Sequence, residues 1–160
     1  MTTQFIQLGA HAILTCRELS SLPLETVAGV PAMVLESVGP IHHAVNVPFH
    51  DSQARGKAIL IRTGWDGLRG TAEFEQPGPY LHDELIFRLI RARVRLVGLD
   101  FGDAAAGNAL IEQNIPIVQH LSNLASIPKW GARFYAVGSC QPGNSVPVRA
   151  FVEISSSESA

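Results

Sequence analysis

The sequence predicts an α/β protein with a mixed sheet core and few short helices, on three observations. Residues 94–101 (VRLVGLDF), 104–113 and 115–118 alternate buried strand, small-residue helix and strand, the signature of a parallel element with a crossover. Residues 57–63 (KAILIRT) form a β-branched run closed by Gly64, the pattern of a central strand covered on both faces. Gly and Pro recur often enough to cut the chain into short segments, and there is no internal repeat.

The other elements follow in order. Residues 4–8 read as a short extended segment, and residues 31–36 (PAMVLE) as a buried strand after a turn at Gly29. Residues 22–28 suit a helical turn, with Pro23 near its start, where a missing N–H costs least. The Gly- and Pro-rich segment 66–79 reads as a long polar loop that lies over another part of the fold. Residues 81–92 place Leu81, Leu85, Ile86, Leu89 and Ile90 at helical spacing on one stripe, with Asp83 and Glu84 at the start and Arg91 at the end. Residues 133–137 and 146–154 close the chain as strands joined by the turn at residues 141–144. The domain is expected to span residues 1–154, and residues 155–160 to form a flexible tail too polar to order itself.

A length of 160 residues fits one domain with a sizeable core. Hydrophobic residues make up 46% and charged residues 16%, so the sparsely charged surface favours self-association into an oligomer. A net charge of −2 with scattered Lys and Arg gives no footprint for nucleic acid. No apolar run approaches the roughly 20 residues of a membrane helix, and the N-terminus has no basic flank before such a run. The expectation is a soluble, cytoplasmic chain with no nucleic-acid or membrane partner. Cys16 and Cys140 lack any paired spacing and read as small core residues.

Four segments in order carry a resemblance to a known family. Residues 60–65 (LIRTGW), residues 97–100 (VGLD), residues 115–124 (IPIVQHLSNL) and residues 146–150 (VPVRA) are similar to successive signatures of the cyclase family, which includes bacterial kynurenine formamidases and isatin hydrolases. The resemblance covers roughly residues 7–154 and implies a swivelling β/β/α architecture, dimers or tetramers, and metal-dependent amide hydrolysis.

The family's catalytic signature, His-x-Gly-Thr-His-x-Asp-x-Pro-x-His, matches residues 7–17 (QLGAHAILTCR) only at Gly9 and His11. The resemblance places the first ligand His on Gln7, the ligand Asp on Ile13 and the terminal catalytic His on Arg17. It places the ligand Glu on Gln119 and the last ligand His near Gly107 or Asn108. The family's opening Asp-Leu-Ser-His strand has no match, so part of one pocket wall is missing or comes from a neighbouring subunit.

A catalytic zinc or manganese site needs about three imidazole or carboxylate ligands and an open position for water. These positions offer one imidazole, and Arg17 adds positive charge, so neither a metal nor another cofactor is expected there. His42 and His43 are adjacent and would point apart on a strand, while His50, His82 and His120 are isolated in sequence and read as loop or helix-start residues. His11 is either a structural histidine left from the family site or a general base in a metal-free pocket.

Should they converge, Arg17 would hold a carboxylate while Gln7, Gln119 and His120 complete a pocket for a small polar or anionic ligand. Cys16 reads as a structural thiol rather than a nucleophile, and Trp65 and Trp130 as core or interface aromatics. The favoured expectation is a non-catalytic or small-ligand-binding member of the family. The alternative is a hydrolase or cyclase of formamides or cyclic amides working without metal around His11.

Overall fold

A computed structural model describes residues 2–37 and 44–156, so His42 and His43 lie outside the described residues. The first strands are β1 (Thr2–Gln7), β2 (Ile13–Thr15) and β3 (Ala28–Glu36), followed by the short β4 (Ala44–Val45) and the single turn α1 (Asp51–Ala54). Then come β5 (Ala58–Arg62), β6 (Tyr80–Leu81), α2 (Asp83–Ala92), β7 (Leu96–Leu99), α3 (Ala104–Glu112) and β8 (Ile117–Gln119). The chain closes with β9 (Ala132–Gly138) and β10 (Ser145–Ser156).

The order β10-β2-β8-β7-β5-β3-β9 returns from β9 to β10, which closes a seven-stranded mixed barrel. β3, β5, β7 and β8 are mutually parallel, and the remaining barrel pairings are antiparallel. β10 achieves the closure by its length: residues 145–147 pair with β2, residues 148–154 pair with β9, and β1 lies alongside its last half.

The parallel strands are buried on both faces, which is why their sequences are almost unbroken apolar runs. Val34, Leu60, Leu96 and Val118 point into the barrel with Phe134, Leu14 and Val152. Met33, Ile59, Ile61, Val97 and Ile117 point outward, where the Leu85–Leu89 stripe of α2 and Leu110 of α3 cover them. Alternation of period two thus divides one set of strands between two cores.

Several expectations change. The helical turn expected at residues 22–28 is a 3-10 turn confined to Leu24–Thr26, preceded by a second one at Leu19–Ser21, and β3 already begins at Ala28. The long loop contains two more 3-10 turns, Trp65–Leu68 and Ala72–Glu75, pinned where Trp65 stacks on Phe74 at 5.5 Å. Cys16 is buried but Cys140 is exposed, so only one of the two is a core residue. β10 extends through Ser156 by pairing with Thr2, so the ordered strand outlasts the expected boundary at residue 154 by two positions. Residues 157–160 lie outside the described residues.

Candidate functional site

Parallel strands deliver their loops to one end, and crevices in such sheets form outside the carboxyl ends. Here those ends are Glu36, Arg62, Leu99 and Gln119. Asp100, just past β7, ties this end together. Its Oδ2 accepts from the backbone N–H of Thr63 and of Gly64, both at 2.8 Å, and its Oδ1 accepts from Thr63 Oγ1 at 2.6 Å. The side chain is 1% exposed, and burial pushes its pKa up to about 6 against the opposing pull of those three donors. The turn it holds has Gly64 at φ +87°, and it launches Trp65 and Asp66 over the strand ends. Asp66 Oδ2 in turn accepts from Asn123 N–H at 3.2 Å.

β8 and β2 pair antiparallel with Ile13 opposite Gln119, so the residues before Ile13 lie beside those after Gln119. Ser122 N–H donates to Leu8 O at 3.0 Å, and Asn123 Nδ2 donates to Gln7 O at 3.4 Å. His120, at φ +62°, donates its N–H to Phe101 O and packs its ring on Gly102. Its imidazole is half-buried. That burial lowers its pKa from 6.5, and the positive charges of Arg69 and His11 lower it further. His11 itself is exposed at the rim. In an NMR pH titration the His120 ring is expected to titrate below 6.5; a midpoint at or above that value would contradict its burial beside Arg69 and His11.

The expected site residues divide among three places. His11 and Arg69 lie near enough to His120 for their positive charges to act on its ring. Gln119 stands next to them along the chain, but its Oε1 accepts from Asp103 N–H at 2.5 Å, and Asp103 caps α3 through Ala106 N–H at 3.0 Å. Gly107 on α3 faces the Gln119 amide, since a Cβ there would lie 4.0 Å from Nε2. Ile13, Gln119 and Gly107 therefore stand side by side.

Gln7 is turned to the outer face of β1, where Arg149 donates to its Oε1 at 3.2 Å. Arg17 follows β2 by two residues, past the end of the strand away from His11, and donates to the carbonyl of Glu112 at the end of α3. Arg17 and Gln7 are thus not part of the His11 crevice. Among the described residues no three His, Cys, Asp or Glu side chains gather in a group that could hold a metal ion. Burial pushes the Cys16 thiol up, away from the thiolate a nucleophile would need. His50 and His82 sit at the starts of α1 and α2, where His82 Nδ1 accepts from Glu84 N–H.

Sequence reasoning missed Asp100 as the clasp of this end and Arg69 as the neighbour of His120. The placement of Asp100 beside the Thr63–Gly64 turn was readable only once β5 and β7 were known to be adjacent.

Residues 10–106 match the Cyclase family model, more than half of the sequence. The chain belongs to the cyclase family. The fold agrees with solved members of the same group. Isatin hydrolase A from Labrenzia aggregata, bound to benzyl benzoate, superposes with a TM-score of 0.75 at 16% identity, over 95% of this chain and 83% of that one. An isatin hydrolase bound to the product analogue thioisatinate gives 0.71 at 16% identity, over 92% and 73%. A predicted metal-dependent hydrolase from Bacillus stearothermophilus gives 0.67 at 12% identity, over 94% and 86%. No curated protein sequence matches the chain. Among the described residues no helix of this cyclase-family chain is long and apolar enough to cross a membrane.

Proposed function

We propose that this cyclase-family protein recognises a small polar or anionic ligand in the crevice of His11, His120 and Arg69, and that it performs no metal-dependent hydrolysis. One observation carries the reading. Ile13, Gln119 and Gly107, adjacent in space, supply between them a single carboxamide whose oxygen is already held by Asp103 N–H. A divalent cation needs about three anionic or imidazole donors, and a neutral amide, an aliphatic chain and a glycine do not suit it. Two imidazoles and a guanidinium suit an anion instead, because each can donate and none brings negative charge.

A second reading has its own support. The neutral form of His120, favoured by burial, beside His11 leaves an imidazole free to take a proton, so a formamide or cyclic amide could be attacked without metal. General base catalysis supplies about 10²- to 10⁴-fold, a fraction of what an unactivated amide requires.

Elemental analysis after dialysis, with turnover assays on N-formylkynurenine and isatin, separates the readings. Binding alone predicts metal well below stoichiometry and no turnover, while His11→Ala weakens ligand binding. Turnover that survives chelators and disappears in His11→Ala supports the second reading. A stoichiometric divalent ion with chelator-sensitive turnover overturns both. We further propose a homodimer or homotetramer, supported by the exposed Phe5, Tyr80 and Phe87; light scattering that reports a monomer would refute it.

A further inference from the structure

The amino ends of the parallel strands, opposite the His11 crevice, carry a cavity of about 370 Å³ between the segment after β2 and the end of α3. We propose that this cavity binds a small monocarboxylate with an aliphatic body, held by Arg17. The proposal is independent of the reading above, since no residue of the His11 crevice lines the cavity.

The walls set the body of the ligand. Leu22, Pro23, Ile111 and Ile115 supply its aliphatic lining. A cavity of this size that sets an apolar wall against the polar side chains of Arg17, Glu18, Ser21, Thr26 and Asn114 can take an amphipathic small molecule.

Arg17 sets the head group. One guanidinium nitrogen donates to Glu112 O at 3.1 Å, which anchors the side chain at the helix end, and no carboxylate among the described residues pairs with it. Four of its five N–H donors are left for a planar oxyanion. Glu18 also lines the cavity, but its Oε1 accepts from Ser20 Oγ at 2.8 Å, Gly143 N–H at 3.0 Å and Ser20 N–H at 3.4 Å. Those donors lower its pKa, so it stays ionised and turned to its own turn rather than to Arg17. A single unpaired guanidinium beside one carboxylate fits a singly charged ligand better than a phosphate dianion. The Cys16 thiol on the same lining is buried and kept neutral, so it adds no charge.

Hexanoate, with hexanamide as the uncharged control, tests this on the full chain by calorimetry and by NMR of the isoleucine methyl groups. The expected result is saturable hexanoate binding with a Kd near or below about 1 mM and shifts at Ile111 and Ile115. Hexanamide and the Arg17→Gln variant should each bind at least about tenfold more weakly, the loss of one charge-assisted pair. Thr26→Phe, which fills the cavity and leaves Arg17 in place, should abolish the shifts. No saturable hexanoate binding, unchanged affinity in Arg17→Gln, or binding that leaves Ile111 and Ile115 unshifted would each overturn the proposal.

Discussion

Replacing Asp100 with Ala is expected to remove about 3 to 5 kcal/mol of stability, read as a lower denaturation midpoint in urea. Truncation orphans the backbone N–H groups of Thr63 and Gly64 and the Thr63 hydroxyl in a site where Asp100 is 1% exposed, and a buried unsatisfied donor costs roughly 1–3 kcal/mol. Asp100→Asn should be far milder, because the amide oxygen can accept from the two N–H groups while its NH₂ donates to Thr63 Oγ1.

The two variants also separate packing from charge. The Asp100 pKa rises from 3.8 to about 6 on folding, chiefly by burial. The folded state therefore binds more protons than the unfolded state between those values, and stability falls as pH rises through this window. At about 1.36 kcal/mol per unit, the effect amounts to roughly 3 kcal/mol, fully present below 3.8 and lost above 6. His120 works in the other direction: its folded pKa lies below 6.5, so its contribution is present above 6.5 and lost as pH falls. The His120 contribution is common to both proteins, so the stability of the wild type minus that of Asp100→Asn should decline between about pH 4 and pH 6. A flat difference would show that the three donors outweigh burial and keep the carboxylate ionised.

What was legible in the sequence follows from where the pairing partners lie. β3, β5, β7 and α2 could be read because burial on both faces makes continuous apolar runs, and because the α2 stripe repeats at helical spacing. β2 escaped because three residues, Ile13, Leu14 and Thr15, carry too little pattern to mark a strand. Barrel closure escaped for a different reason: β10 pairs with β1, β2 and β9 through contacts between the two ends of the chain, and no local pattern encodes them. The same holds for the site. His11 lies near His120 only because Ile13 registers with Gln119, and Arg17, six residues from His11, is carried off to Glu112 by the strand between them.

The loop that brings His11 to this end depends on Gly9, and Gly9→Ala is expected to cost about 2 to 4 kcal/mol. Gly9 has φ +89°, which imposes roughly 1–2 kcal/mol on a residue with a Cβ. That Cβ would also lie 2.8 Å from both Cβ and Oγ of Ser122, whose own N–H is fixed on Leu8 O at 3.0 Å, so the neighbour has little room to move. Forced overpacking of this kind costs about 1–3 kcal/mol. Combining Gly9→Ala with Ser122→Gly removes the collision and leaves the backbone strain. The double variant should therefore recover the overpacking share, and a double-mutant cycle by urea denaturation should show coupling of about 1–3 kcal/mol. Simple additivity would mean that backbone conformation alone makes glycine necessary here. Coupling, together with a rise of the His120 midpoint toward 6.5 in Gly9→Ala, would mean that the Leu8–Ser122 contact also keeps the His120 ring buried near Arg69 and His11.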